Sequence, residues 1–170
     1  GIVYITNGQY IASHDPATSS GNTQAFNLGV NWVAVGLETY GNYLAIVARQ
    51  RNVDPLGLGM GESRLFLWDG FTPTPNYVYD LGDSLVTAIK KHEGNLFMFT
   101  QGKNNATRVK VLLGNRIITI FENAGIGNSP KQGGVESFKG LLCWLQDGPS
   151  SWNMSALQEI FSHPVYSDRG

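Results

Sequence analysis

Short apolar segments alternate with polar turns along most of the chain, and one layout occurs three times. In each case a short apolar segment, a polar turn with glycine and a stronger apolar segment follow one another, at residues 33–48, 85–100 and 134–145. Brief apolar runs bounded by turn residues are typical of β-strands that bury one or both faces. The pattern therefore predicts three antiparallel hairpins.

A second class of hairpin precedes or separates these three, at residues 3–12, 65–71 and 109–121. The turns of this class are predicted at Asn7-Gly8, Asp69-Gly70 and Gly114-Asn115. Such pairs are strong hairpin signals, because both central residues of a type I′ turn need a positive φ. We expect each pair to reverse the chain tightly.

The two classes of hairpin alternate, which predicts a repeat of roughly 45 residues that contains four strands. A unit of this size is typical of a β-propeller blade. We expect an all-β protein made of four-stranded antiparallel blades, either a β-propeller or part of one. The predicted divisions are a partial blade at 1–31, blades at 32–82 and 84–124, a partial blade at 130–148 and a C-terminal extension at 149–170.

The ends and the long connections of this repeat carry further expectations. The chain begins with the last two strands of a blade, which is expected of a trimmed product or a piece of a longer protein. In the extension, Ser151 is a candidate N-cap for a short helix, which a strand would follow. The connections at 13–31 and 51–61 are long, and loops of that length are usually functional or mobile.

Composition supports a folded β-protein and excludes several classes of function. Of 170 residues, 42% are hydrophobic, only 15% are charged and 21 are glycine. The net charge of −1 creates no field that would attract nucleic acid, and no apolar run is long enough for membrane insertion. Cys143 is the single cysteine, so neither an intramolecular disulfide nor a cysteine metal site is expected.

The residues that usually carry chemistry are dispersed along the sequence. His14 adjoins Asp15 in a predicted strand, where adjacent side chains point to opposite faces, so the two cannot act as a pair. His92 lies in a charged turn, His163 precedes a proline, and no Asp-x-Asp-x-Asp pattern occurs. Glu38 and Glu136 occupy matching positions of the repeat, which favours a structural role for both. We therefore predict no catalytic residue, no metal site and no cofactor.

Aromatic side chains offer a better candidate surface for binding. Trp68 and Trp144 lie inside apolar runs and are predicted to belong to the core, whereas aromatic residues around the turn at Pro73 and Pro75 are predicted to be exposed. Polar side chains of the long loop at 51–61 are expected to supply hydrogen bonds to a ligand at the same surface. The candidate contact surface comprises Phe71, Tyr77, Tyr79, Asn52 and Asp54.

The segments 3–12, 40–46 and 65–70 resemble those of repeat β-propeller proteins from bacteriophage structural genes and environmental bacterial genomes. The sequence lacks the Gly-His element of WD40 repeats. The resemblance implies a component of a virion tail or capsid surface, or a displayed recognition module, located in the virion or outside the cell. A non-catalytic structural and interaction protein that contacts other protein subunits is the first hypothesis. A glycan-binding module is the alternative, and a propeller glycosidase is the least favoured.

Overall fold

The computed structural model describes residues 1–51, 61–83, 85–102 and 107–122, and the backbone of four strands between 133 and 159. Within these residues every regular element is a β-strand. The strands are β1 (Val3–Asn7), β2 (Tyr10–Asp15), β3 (Ser20–Asn27), β4 (Trp32–Tyr40), β5 (Tyr43–Gln50), β6 (Ser63–Trp68), β7 (Tyr77–Asp80), β8 (Leu85–His92), β9 (Asn95–Gln101), β10 (Thr107–Leu113), β11 (Arg116–Phe121), β12 (Gly133–Ser137), β13 (Gly140–Leu145), β14 (Gly148–Trp152) and β15 (Leu157–Glu159).

The strands form sheets in which each strand pairs with its neighbour in sequence. The first sheet contains β1 to β3, the second β4 to β7, the third β8 to β11 and the fourth β12 to β15. All pairs are antiparallel, as expected for strands joined by short connections. The prediction of an all-β protein made of antiparallel sheets is confirmed.

Glycines with positive φ close three of the tight hairpins. Gly8, Gly41 and Gly114 have φ angles of 61°, 57° and 60°, which side chains with a Cβ adopt only with strain. Asn7 pairs with Tyr10 across the first of these turns. The predicted reversals at Asn7-Gly8 and Gly114-Asn115 are therefore confirmed.

The predicted tight reversal at Asp69-Gly70 is wrong. β6 ends at Trp68, and its partner β7 begins only at Tyr77, so the reversal extends over residues 69–76. The Asp69 carboxylate accepts hydrogen bonds from the backbone N–H groups of Phe71 and Thr72, both at 2.9 Å. These bonds hold the chain in a longer loop.

Two other expectations are also corrected. The predicted connection at 13–31 contains strand β3, which completes the first sheet as its third strand. The predicted helix after Ser151 is replaced in the described residues by β14 and β15, which pair with each other. Pairing with β13 satisfies the backbone groups of β14 in the sheet, where an isolated short helix would be marginal.

The second and third sheets repeat each other in detail. The pair Ala34–Ala48 in the second sheet and the pair Val86–Thr100 in the third each precede a β-bulge. Starting from these bulges, the four strands of the second sheet can be aligned with the four strands of the third, residue by residue. In this alignment Arg64, which pairs with Ala48, corresponds to Arg108, which pairs with Thr100.

The connections between sheets repeat as well. Leu28 follows β3 and Leu81 follows β7, and both are buried. The N–H of Leu28 donates to the carbonyl of Gln9 at 2.8 Å, and the N–H of Leu81 donates to that of Ser63 at 3.0 Å. Gln9 immediately precedes β2 and Ser63 begins β6, so β1, β2 and β3 correspond to β5, β6 and β7. Among the described strands, none in the first sheet is equivalent to β4.

The first three sheets stack face to face, and the first strands of the second, third and fourth sheets lie side by side. β4 contacts β8, and β8 contacts β12. Gly36 permits the close approach of β4 to β8, because a Cβ at this position would lie 3.1 Å from Cγ2 of Ile89. One core between the first and second sheets contains Ile11, Phe26, Leu28, Ala34, Leu44, Ile46, Ala48, Phe66 and Trp68. A second core between the second and third sheets contains Ala45, Val47, Leu65, Leu67, Leu81, Val86, Ile89, Leu96, Met98 and Leu112.

Candidate functional site

Three tyrosines of the second sheet form a continuous aromatic surface, which we call the tyrosine ridge: Tyr43, Tyr77 and Tyr79. Tyr77 and Tyr79 alternate along β7, so both project from the same face of the sheet. Their rings stack with centroids 6.5 Å apart, and Tyr43 meets Tyr77 edge to face at 5.7 Å. Tyr77 is 50% exposed and Tyr79 is half-buried against the core. The ridge therefore offers rigid ring surface and hydroxyl groups to solvent.

Two hydroxyl groups of the ridge, those of Tyr43 and Tyr79, have a raised pKa and are uncharged at neutral pH. Hydrogen bonding to Tyr77 raises the pKa of Tyr43 above its ordinary value of 10.0. Burial raises the pKa of Tyr79 in the same direction. Tyrosine rings and hydroxyl groups of this kind can contact a ligand through ring surface and hydrogen bonds.

The loop at 69–76 lies beside the ridge and is organised by Asp69. Besides its two backbone bonds, the Asp69 carboxylate accepts hydrogen bonds from the Thr72 hydroxyl at 2.9 Å and the Asn76 amide at 3.1 Å. The indole N–H of Trp68 donates to the carbonyl of Thr72 at 2.7 Å. Phe71, at the tip of the loop, is 89% exposed. The loop thus presents an apolar ring from a fixed backbone.

Replacing Asp69 with asparagine is expected to loosen this loop and lower the melting temperature at pH 7. Hydrogen bonds from the backbone N–H groups of Thr72 and Phe71 hold the pKa of Asp69 well below its ordinary value of 3.8. A lowered carboxyl pKa stabilises the fold above pH 3.8, and the gain is lost as the pH falls below that value. The melting temperatures of the two proteins should therefore approach each other as the pH falls from about 4 to about 2. A gap that does not narrow over this range would contradict this assignment.

A buried charged cluster, formed by Asp83, Arg108, Lys110 and Thr100, joins the second sheet to the third. Arg108 donates to Oδ1 of Asp83, while Nζ of Lys110 lies 3.1 Å from Oδ2. The Thr100 hydroxyl donates to Oδ2 at 2.6 Å, and Ser63 of β6 donates to the Asp83 carbonyl at 2.7 Å. Both oxygens of the carboxylate thus contact donor groups of the protein, which fits a structural role.

Glu38 makes a similar tie between the same two sheets. Its Oε2 accepts a hydrogen bond from the N–H of Lys91 at 3.2 Å and lies 3.6 Å from Nζ of Lys90. Both lysines belong to β8, whereas Glu38 belongs to β4. These contacts agree with the structural role predicted for Glu38, and Glu136 lies on β12, of which only the backbone is described.

A groove of about 340 Å³ runs between the starts of β4 and β8. Its walls are mainly apolar, and Arg49 and Thr87 are its polar residues. The loop that holds Asn52 and Asp54 leaves β5 at this end of the sheet, but both residues lie outside the described part of the chain. The structure therefore unites Phe71, Tyr77 and Tyr79 at one end of the second sheet and leaves the other two predicted contact residues untested.

The histidines are dispersed in space as in sequence. His14 is exposed on β2, whereas His92 is 2% exposed and its ring lies 6.2 Å from that of Phe97. His163 lies outside the described residues. Among the residues that are described, no three His, Cys, Asp or Glu side chains are grouped closely enough to hold a metal ion. The same residues include no helix long and apolar enough to cross a membrane.

Comparison with known proteins adds no assignment: no protein-family model matches the chain, and no curated protein matches it. Tyr43 and Asp69 belong to the candidate surface but were not among the predicted contact residues. The sequence gives a partial indication for Tyr43. Tyr43 begins β5 after the turn at Gly41, and Tyr77 begins β7 after the 69–76 loop, so both lie at the same end of the sheet.

Proposed function

We propose that the protein is a non-catalytic structural and interaction protein built of β-propeller blades. Face-to-face stacking of meander sheets, contact between successive first strands and repetition of the inter-sheet connections at Leu28 and Leu81 all support this architecture. The location that we propose, a virion or the cell exterior, rests on the resemblance to phage structural proteins.

The observation that carries the interaction role is the open inner edge of the first sheet. β1 is the edge strand, and it corresponds to β5, whose equivalent edge is covered by β4. Because Asn7 and Tyr10 close a two-residue hairpin, the N–H and C=O groups of Tyr4 and Thr6 point away from β2. No described strand pairs with these groups. An exposed row of this kind accepts an added strand.

Residues 1–6 of this edge also contain none of the features that block strand addition. The segment has no charged side chain, proline or bulge, and its β-branched residues favour extended backbone. The added strand would be antiparallel to β1, as β4 is to β5. We therefore propose that this edge accepts an added strand, which a partner protein can contribute.

The experiment uses a synthetic peptide with the sequence of β4, residues 32–40, as a stand-in for the partner strand. Hydrogen exchange at the amides of Tyr4 and Thr6 is expected to slow when the peptide is added to the whole protein. The amide of Ile5, which points toward β2, serves as the internal control. Unchanged exchange at Tyr4 and Thr6 with saturating peptide would count against strand addition, as would equal slowing across all sheets. Release of product from a panel of chromogenic glycosides would contradict the non-catalytic assignment.

Glycan binding is a second candidate function, and the tyrosine ridge is the observation that favours it. Sugar rings stack on exposed aromatic rings, and the hydroxyl groups of Tyr43 and Tyr77 supply hydrogen bonds at the same surface. Phe71 extends this surface by one more exposed ring.

Replacing Tyr77 with alanine is expected to weaken binding to any glycan that an array identifies by about tenfold or more, since it removes the central ring of the ridge. Val78→Ala is the matched control, because Val78 is the neighbouring residue of β7, is 46% exposed and projects from the opposite face. An array without binding, or equal losses in both variants, would remove this candidate.

A further inference from the structure

Glycine at position 36 lets the second and third sheets approach each other closely. Gly36 of β4 pairs with Val47 of β5, and β4 contacts β8 of the third sheet. A Cβ added to Gly36 would lie 3.1 Å from Cγ2 of Ile89 and 3.4 Å from Cγ2 of Val47. Since non-bonded carbon atoms favour separations of about 3.5–4.0 Å, a larger side chain at this position would push β4 away from β8.

The third sheet has a small residue at the matching position. Ala88 follows the bulge of β8 as Gly36 follows the bulge of β4, and Ala88 pairs with Phe99 as Gly36 pairs with Val47. β-branched residues would suit extended backbone better than either of these small residues. The repeat therefore carries glycine or alanine at this position in both sheets, which indicates a steric requirement.

The edge strand β1 occupies the position of β5 in the repeat. The pair Thr6–Ile11 matches the pair Val47–Leu65, so Thr6 takes the place of Val47. β1 contacts β4 of the second sheet as β5 contacts β8 of the third. A strand added beside β1 would therefore pass over β4 as β4 passes over β8, with one of its residues paired to Thr6.

Leu37 is the residue of β4 that this strand would meet. Leu37 matches Ile89 in the repeat, and it packs against the core between the first and second sheets. Ile89 is 8% exposed, whereas Leu37 is only half-buried, and no described strand passes over Leu37 as β4 passes over Ile89. An added strand can therefore approach Leu37 as closely as Gly36 approaches Ile89, provided that its own residue is as small.

We infer that the β1 edge selects a partner strand with glycine or alanine at the position that pairs with Thr6, because that residue lies against Leu37. A larger side chain there would hold the strand away from β1 or displace Leu37 from the core. The partner that fits is an extended segment with a small residue at this one position, and the clash excludes other segments. This inference rests on the proposed strand addition and specifies which strand is accepted.

The test compares variants of the β4 peptide by the slowing of hydrogen exchange at the amides of Tyr4 and Thr6 in the whole protein. Gly36→Val in the peptide is expected to weaken binding by about tenfold or more, because valine would meet Leu37 of the protein. Valine favours strands more than glycine does, so backbone preference alone would give the opposite result. Thr39→Val is the matched control, since Thr39 projects from the opposite face of β4, and it is expected to bind like the unchanged peptide.

A variant of the protein tests the contact with Leu37 directly. Leu37→Ala in the protein is expected to restore most of the binding that the Gly36→Val peptide loses, because it removes the side chain that valine meets. Equal binding of the Gly36→Val and unchanged peptides overturns the inference, and so does a lack of recovery in Leu37→Ala. Circular dichroism and thermal melting establish that the variant is folded, and Leu37→Val takes its place if it is not. An unchanged peptide that leaves exchange at Tyr4 and Thr6 unaltered refutes strand addition itself, and the inference with it.

Discussion

Replacing Asp83 with alanine is expected to lower the free energy of unfolding by about 3–5 kcal/mol, which is the usual cost of removing one partner from a buried ion pair. The Asp83 side chain is 3% exposed and that of Lys110 is 9% exposed. Without the carboxylate, the Lys110 ammonium remains buried beside the Leu81 carbonyl with its charge uncompensated. Denaturation in urea, followed by tryptophan fluorescence, measures the change.

The control for this prediction is the exposed ion pair between Arg64 and Glu62. These side chains are 36% and 47% exposed, so Glu62→Ala should change the free energy of unfolding by only about 0–1 kcal/mol. Adding Lys110→Met to the Asp83→Ala variant should recover part of the loss, because the buried charge is then absent. Equal effects of Asp83→Ala and Glu62→Ala would contradict the structural role of the buried cluster.

Replacing Trp68 with alanine is expected to destabilise the fold by a similar amount, about 3–5 kcal/mol. Trp68 is 1% exposed, stacks on Phe26 at 4.9 Å and meets Tyr4 edge to face at 5.9 Å. The substitution leaves a cavity between the first and second sheets, which adds to the lost transfer free energy. Chemical denaturation followed by circular dichroism measures the effect without relying on the missing fluorophore.

Two further variants separate the packing of Trp68 from its hydrogen bond. Trp68→Phe keeps a ring in the core but removes the N–H that donates to Thr72, so it should cost about 1–3 kcal/mol through the unpaired carbonyl and the smaller ring. Phe71→Ala removes a ring that is 89% exposed, and its effect should stay within about 0.5 kcal/mol. A large loss of stability in Phe71→Ala would show that the loop tip packs against the protein.

The candidate contact surface was partly accessible from the sequence. Tyr77 and Tyr79 alternate along a strand, so one face of that strand is aromatic in any register, and Phe71 stands beside prolines that interrupt the sheet. The place of Tyr43 in the ridge depends on the alignment of β5 with β7 through β6, which no local pattern specifies. The role of Asp69 was misjudged because an Asp-Gly pair is also a strong signal for a tight turn.

The sequence by itself determined the antiparallel β-architecture, most of the hairpins and the burial of Trp68, because turn chemistry and alternation act over a few neighbouring residues. It did not reveal β3, whose residues are mostly polar and of which only Phe26 is buried. This strand is stabilised by backbone pairing with β2, which leaves no apolar pattern in the sequence. Tertiary structure alone brought Arg108 and Lys110 to Asp83 and placed β1 at the edge of its sheet among the described strands. Both features arise from contacts between segments distant in sequence, where free energy depends on how whole sheets pack.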